Sequence, residues 1–366
     1  MKIGNDGRFN LPLEQAMCLS SFPRSMKGNF FQSVEYRRVL HKIGWETLLL
    51  KCQEQGCEAS ALIYLPKSLS LVSHLFRRCR VFYGPCIRTS GEKIDFSVLD
   101  LLLKKLSSVG EQLGATFLAV RAPFPFEFGS EIFGRNGFTK EASEGAYSVV
   151  IDLDKSLDTV WGEMKRFARR CIKKSIDFGV EIREIETEDD LREFYGIYLS
   201  TTARRGFEPY PFQLFRILWR ELEPEGLVKF FVASWRNKPI AGILNTFYDQ
   251  ESVPYVACSV DSFWRLHPNH LLFWHSIKYS KEIMGSSIFK LYHVTPKRER
   301  VKGVDYFTFK TCFGGQLLEE CAFYTKIISP SKFRVYRFLT RINENRTLKR
   351  LARHTHIPLR HENHPN

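Results

Sequence analysis

A chain of 366 residues with 54 Lys plus Arg against 40 Asp plus Glu has a formal net charge of +14. That excess favours polyanions as partners: RNA, an anionic membrane face or a phosphorylated substrate. A hydrophobic fraction of 44% and an aromatic fraction of 14% exclude a disordered chain and support packed cores in two domains of ordinary size. 

The N-terminus, Met1-Lys2-Ile3-Gly4-Asn5-Asp6-Gly7-Arg8, opens without an apolar signal core, and no apolar run reaches the roughly 18 residues a membrane span needs. Gln32 to Ile43 has helical apolar spacing. Trp45 to Lys51 and Ala61 to Leu65 read as strands around the polar turn Gln53-Glu54-Gln55-Gly56, and Val81 to Ile87 as a third. Phe96 to Leu113 carries a helical stripe from Val98 to Val109, and Phe117 to Val120 is the strand after it. A Pro- and Phe-rich loop, the segment Phe133 to Phe138 and a strand from Ala146 to Leu153 complete the first unit. Asp158 is the expected N-cap of a helix from Val160 to Ile176. Leu191 to Arg204 is helical, Val228 to Trp235 and Ile240 to Tyr248 form a hairpin, and Val253 to Val260 is a strand. His270 to Met284 is a helix and Ile288 to Tyr292 a strand. Past Pro330 the tail is basic, with helical spacing at Phe333, Tyr336, Phe338, Leu339 and Ile342, and its His- and Pro-containing end is expected to be disordered.

This plan is stated twice. Gly114 to Val120, a helix end running into an apolar strand, recurs as Gly285 to Leu291. At the same offset Phe82 to Ile87 falls on Val253 to Cys258, and Phe138 on Phe309. Pattern repeats while identity is low, which implies two domains of one fold with a ligand cleft near their junction. The expected divisions are 1–153 for the first domain, 154–183 for a basic linker helix, 184–329 for the second domain and 330–366 for the tail.

The chemistry-bearing residues are cationic. At helical spacing Arg166, Arg169, Arg170 and Lys173 share one face of the linker helix, a stripe suited to a phosphate backbone or an anionic lipid surface, or else a solvated connector. Arg204 and Arg205 stand at a helix end, where they complement the helix dipole or clamp a diphosphate. Lys310 lies between Phe309 and Phe313, with Gly314-Gly315 allowing close backbone approach. The nine cysteines are scattered with no Cys-x-x-Cys pair, which points to reduced thiols in a cytoplasmic protein. His267, His270 and His275 do not share a helical face with an acid, so no metal site is expected. No Gly-x-Ser-x-Gly element or P-loop occurs, and the Arg/Gln-x-x-Gly-x-Gly/Ala loop of acyl-CoA enzymes is missing from both halves.

Hairpin, strand, helix, strand and a Gly-Phe element, in that order, resemble the Gcn5-related N-acetyltransferase (GNAT) fold. A tandem pair resembles the FemABX family of peptidoglycan-bridge aminoacyltransferases. Four segments carry the resemblance: Phe31-Gln32-Ser33 with Tyr36; the basic helix ending Ile172-Lys173-Lys174-Ser175 before Gly179-Val180; Thr201-Thr202-Ala203-Arg204-Arg205-Gly206-Phe207; and Phe307-Thr308-Phe309-Lys310 with Phe313-Gly314-Gly315. Pro268-Asn269-His270-Leu271-Leu272 resembles a broader GNAT-like branch linked to envelope polymers. The resemblance implies an α/β fold of two GNAT-like domains with mixed, mainly antiparallel sheets. It also implies transfer of an aminoacyl group from aminoacyl-tRNA to an amine of a phosphorylated, peptidoglycan-type envelope precursor. Phe309 and Lys310 would lie in the active site and Arg204 on the precursor. Lys42, or Arg38 in its place, would contact precursor phosphate, and Tyr210 and Tyr255 are candidate wall residues.

Ester-to-amine transfer needs no metal or redox cofactor; aminoacyl-tRNA is the co-substrate, and a lysine in a water-poor aromatic setting can steady the oxyanion. A monomer is expected, with peripheral contact to an anionic membrane at its inner face. Two alternatives stay open: an N-acyltransferase using acyl-CoA or acyl-carrier protein, and a non-catalytic module binding RNA or anionic lipid.

Overall fold

The computed structural model describes residues 10–12, 28–65, 75–89, 93–123, 129–141, 147–294, 306–319 and 321–344. The Pro- and Phe-rich loop expected after Val120 is described only to Pro123, and the first eight residues and the tail beyond Glu344 lie outside the described residues. Among those described, residues from 10 to 141 and from 321 to 344 make one unit, and residues from 147 to 319 the other.

The first unit opens with helix α1 (Val34–Lys42), whose N-cap Ser33 accepts from the Tyr36 N–H. Strands β1 (Glu46–Glu54) and β2 (Cys57–Leu65) form a hairpin closed by Gln55-Gly56, both at positive φ as a two-residue primed turn requires. The strand expected from Val81 to Ile87 is interrupted: β3 (Arg78–Phe82) pairs parallel with a later strand, whereas β4 (Cys86–Thr89) pairs with β2. Helix α2 (Ser97–Gln112) buries Val98, Leu99, Leu102, Leu103 and Leu106 on one stripe against the sheet. Strand β5 (Phe117–Pro123), helix α3 (Gly129–Arg135) and strand β6 (Thr139–Glu141) follow.

Strand β7 (Tyr147–Asp152) was expected to close this first unit. It belongs instead to the sheet of the second, where Val149 and Ile151 join the core with Phe231, Phe289 and Phe313. The expected single linker helix is two: α4 (Leu157–Glu163) and α5 (Arg166–Asp177), parted at Met164-Lys165, with Ser156 rather than Asp158 as the N-cap of α4. Strand β8 (Val180–Glu184) leads to helix α6 (Glu188–Arg205), opened by a Thr187–Asp190 capping box. Helix α7 (Phe212–Ile217) continues into a π-helical turn at Leu218–Leu222. Strands β9 (Val228–Trp235), β10 (Lys238–Tyr248) and β11 (Glu251–Ser259) form a meander. Its two-residue turns, Arg236-Asn237 and Asp249-Gln250, again have φ positive at both positions. Helix α8 (Pro268–Glu282), strand β12 (Ile288–Val294), helix α9 (Tyr306–Thr311) and strand β13 (Gln316–Glu319) complete the unit.

The chain then returns to the first unit. Strand β14 (Cys321–Ile327), assigned above to the second domain, pairs along the whole of β5 and places Ala322 and Tyr324 in the first core. Helix α10 (Pro330–Glu344) packs Phe333 and Tyr336 on Phe117. The sheet orders are therefore β1-β2-β3-β5-β14-β6, with β4 on β2, and β8-β9-β10-β11-β12-β7-β13. Each sheet receives its penultimate strand from chain lying next to the other unit in sequence. Burying a Val or Ile side chain is worth about 1.5–3 kcal/mol, so Val149 and Ile151 give β7 ample reason to seat in an apolar sheet. The repeat also has a conformational counterpart. Gly114 and Gly285, which precede β5 and β12, adopt left-handed φ of 63° and 62°.

Candidate active site in the second unit

Strands β11 and β12 run parallel but pair only at Glu251↔Ile288 and Ser252↔Phe289, although both continue, to Ser259 and Val294. Charged side chains gather where the ladder stops. Lys290 is 6% exposed, its Nζ lies 2.5 Å from Glu251 Oε2, and Tyr292 Oη donates to Glu251 Oε1 at 2.6 Å. A buried ammonium needs such partners because losing water costs several kcal/mol. The sequence reading missed this ion pair; a lysine inside the apolar run Ile288 to Leu291 was the signal.

Lys310 stands in the last turn of α9. Its ammonium donates to the backbone carbonyls of Tyr292 and, at 3.1 Å, His293, so the cation is held over the end of β12. Phe309, half-buried, meets Phe273 and His270 edge-on at ring separations of 5.1 Å each and Phe313 at 5.4 Å. Gly314 and Gly315 end this segment with φ of 84° and 79°, and a Cβ at Gly315 would lie 2.4 Å from the Val150 carbonyl oxygen. The expected close backbone approach is thus against β7.

The end of α6 converges on the same place. Arg205 lies over the Tyr306 ring at 4.5 Å, and burial, followed by the neighbouring charge of Arg204, pulls its pKa down to about 10. Arg204 pairs with Asp261 Oδ1 at 3.1 Å. Thr201 fixes the helix to the end of β11: its hydroxyl donates to the Ser259 carbonyl at 3.1 Å and accepts the Ser259 N–H at 2.9 Å. The backbone of Tyr210 is held by the hydroxyls of Tyr195 and Tyr198, and Tyr255 is buried within β11.

Arg166, Arg170 and Lys173 are exposed along α5, opposite its buried Ala168, Cys171, Ile172 and Ser175; Arg169 is half-buried and donates to the Gly162 carbonyl at 3.3 Å. The start of this helix touches the end of α9, with the Lys165 N–H donating to the Cys312 carbonyl at 3.0 Å. Lys42 and Arg38 lie on the exposed side of α1, in the first unit. The Phe31-Gln32-Ser33 element is architectural. The Gln32 amide donates to the Phe82 carbonyl at 2.6 Å and accepts the Leu62 N–H at 2.6 Å, bridging β2 and β3, while the Phe31 carbonyl accepts from Tyr64 Oη. A depression of about 460 Å³ on the first unit is lined by Lys104, Ser107, Arg135 and Lys326, of which Lys104 is paired with Asp100 and Lys326 with Ser107.

Residues 162–292 match the family model of the acetyltransferase (GNAT) domain. Among solved structures the chain is similar to FemX, with a TM-score of 0.70 at 13% identity over 90% of this chain and 99% of that one. This is a FemABX-like tandem GNAT fold. The fold is shared with the C-terminal domain (DUF2156) of a putative lysylphosphatidylglycerol synthetase from Agrobacterium fabrum, at a TM-score of 0.55 and 13% identity over 88% of this chain and 94% of that one. A tandem GNAT protein of the clavulanic acid biosynthesis pathway also has it, at 0.53 and 9% identity over 87% and 98%. No curated protein matches the chain in sequence. Among the described residues of this tandem GNAT chain, no helix is long and apolar enough to cross a membrane.

Proposed function

We propose that the chain is an aminoacyltransferase that moves an aminoacyl group from aminoacyl-tRNA to an amine of a phosphorylated, peptidoglycan-type envelope precursor. The observation that carries this reading is the Lys310 ammonium, held by the Tyr292 and His293 backbone carbonyls at the end of β12, past the point where β11 and β12 cease to pair. The incoming amine, unprotonated, forms the new C–N bond at the ester carbonyl. The C–O bond to the tRNA ribose breaks, and the proton lost by the amine ends on the departing oxygen. In between, negative charge builds on the carbonyl oxygen, and a fixed cation in a water-poor setting lowers that barrier without reorganising. Phe309 positions the lysine and excludes water. Arg204 contacts the precursor, Lys42, or Arg38 in its place, contacts precursor phosphate, and Tyr210 and Tyr255 are wall residues. The exposed Arg166, Arg170 and Lys173, with Arg169, bind the tRNA backbone. The transfer step itself draws on no cofactor, and the protein acts as a cytoplasmic monomer at the inner face of the membrane.

The likeness to the lysylphosphatidylglycerol synthetase domain favours one second reading, in which the acceptor is a membrane lipid. The donor alternative is acyl-CoA or acyl-carrier protein. Incubating the protein with radiolabelled aminoacyl-tRNA or acyl-CoA, an envelope-precursor extract and phosphatidylglycerol vesicles separates these. Label passing from tRNA to precursor is the expected result, while transfer only from acyl-CoA overturns the donor and transfer only to lipid the acceptor. Loss of all transfer alongside retained RNA or vesicle binding supports the non-catalytic module instead.

A further inference from the structure

Helices α5 and α8 bring together three side chains that the proposed transfer does not use. Cys171 sits on the buried face of α5 at 2% exposure. His267 immediately precedes α8 in a left-handed conformation, φ 54°, and His270 lies in the first turn. The Cys171 Sγ and one ring nitrogen of each histidine lie within 4.8 Å of one another. His270 Nε2 is buried without a hydrogen-bond partner, in a cage formed by Phe167, His267, Phe309 and Phe313 at ring separations of 5.1–6.0 Å. A buried polar nitrogen left without a partner costs about 1–3 kcal/mol, so it needs an explanation.

We propose that Cys171, His267 and His270 are the protein ligands of a transition-metal ion, with zinc the ion best matched to one thiolate and two imidazoles. The alternatives fit the surroundings less well. No acidic side chain takes part in the cluster, and a hard cation such as Mg²⁺ or Ca²⁺ wants oxygen ligands. A coordinated sulfur is a thiolate, and Arg170 and Lys174 on the same helix supply positive charge beside it.

Ligand atoms in a tetrahedral zinc site stand about 3.3–3.8 Å apart, given Zn–N near 2.0–2.1 Å and Zn–S near 2.3 Å. Binding would therefore draw the ligand atoms together by no more than about 1.5 Å. The bound ion would clamp the start of α8 to α5 beside Phe309, and its fourth position would be left to water. The helical-face argument weighed His267, His270 and His275 alone, whereas the proposed third ligand, Cys171, comes from a different helix.

The test uses the full chain, stripped of metal and titrated with Co²⁺. One equivalent should bind with a thiolate-to-cobalt charge-transfer band in the near ultraviolet and the strong visible bands of a tetrahedral centre. Cys171→Ser, a near-isosteric change, should abolish the charge-transfer band, and His270→Gln should weaken Co²⁺ binding at least tenfold. Zn²⁺ should displace cobalt and raise the melting temperature of the wild type more than that of Cys171→Ser. His354, His356, His361 and His364 of the tail offer no sulfur, so the charge-transfer band distinguishes the buried site from them. Absence of stoichiometric binding, or a band that persists in Cys171→Ser, overturns the assignment. Because the readouts are spectroscopic and thermal, failure of the transferase reading leaves the outcome unaffected.

Discussion

The two units share six strands in one order, β1-β2-β3-β5-β14-β6 matching β9-β10-β11-β12-β7-β13, and differ in how the parallel pair at the centre is made. In the first, β3 and β5 pair in parallel at five successive positions, from Arg78↔Phe117 to Phe82↔Arg121. In the second, β11 and β12 pair at two and then stop. The contents follow this difference. Beside the closed ladder, Arg121 is locked between the rings of Tyr83 and Phe323, at 5.1 Å and 4.7 Å, and its guanidinium donates to Tyr83 Oη. Beside the interrupted ladder stand the Lys290–Glu251 pair, Tyr292 and the Lys310 ammonium. At the repeat offset Lys290 falls on Ala119 and Lys310 on Thr139. The fold is repeated, and the polar constellation is not. A parallel pair that stops exposes backbone and side-chain edges to a ligand, and a continuous one consumes them in hydrogen bonds.

The largest effect expected from breaking this asymmetry comes from Lys290→Met. It leaves the Glu251 carboxylate, 16% exposed, without its cation, and removing one partner of a buried pair costs about 3–5 kcal/mol. Urea unfolding should show that loss, whereas Ala119→Ser should change stability by less than about 1 kcal/mol. A loss under 1 kcal/mol for Lys290→Met would mean that the pair is not a determinant of the second unit. Next comes Lys310→Met, expected to lower the rate of transfer by about a hundredfold or more, the usual cost of losing an oxyanion donor, with the melting temperature nearly unchanged. Thr139→Ala, its counterpart in the first unit, should leave the rate within about twofold. Equal sensitivity of the two positions would show that the units share the chemistry.

On the closed side, Gln32→Ala tests what holds β2 to β3. It strips partners from the Leu62 N–H and the Phe82 carbonyl, and two unsatisfied backbone groups should cost about 2 kcal/mol, read as a lower urea midpoint. A neutral result would mean that water replaces the amide at both groups.

These residues also show what the sequence could reveal. Period and turn chemistry are local, so the stripe of α2, the hairpin turns and the matched Gly114 and Gly285 were legible. Sheet membership is not local. Nothing in the alternation of Tyr147 to Asp152 says which sheet it joins, and the apolar pattern of β14 fits either core equally well. The break at Met164-Lys165 was hidden because the buried face passes from Val160 and Met164 to Ala168 and Ile172 with helical spacing unbroken. Of the candidate site, Phe309 and Lys310 stood out through their glycine and aromatic neighbours. Glu251 and Lys290 did not, because an ion pair between two strands leaves no spacing to count.

The smallest effect compares acids that each unit places on a helix. Asp100 in α2 and Asp190 in α6 are both held below the usual carboxylate range, although burial alone would raise them. For Asp100 the opposing influences are hydrogen bonds from Lys104 and Asn136. For Asp190 they are hydrogen bonds from the Thr187 side chain and backbone, the Glu186 N–H and Arg183. A carboxylate whose folded pKa is depressed contributes stability above its unfolded value, 3.8, and loses it as pH falls through the lower folded value. Asp190 accepts two backbone N–H groups at the mouth of α6, whereas Asp100 accepts none in its helix. Asp190→Ala should therefore cost about 1 kcal/mol at neutral pH, as loss of a cap does, and Asp100→Ala less. As pH falls below 3.8 and through the lower folded value, the Asp190→Ala and wild-type unfolding curves should converge, because protonation already removes from the wild type what the substitution removes from the variant. Curves that stay equally far apart from pH 7 to pH 2 would assign the contribution of Asp190 to packing rather than charge.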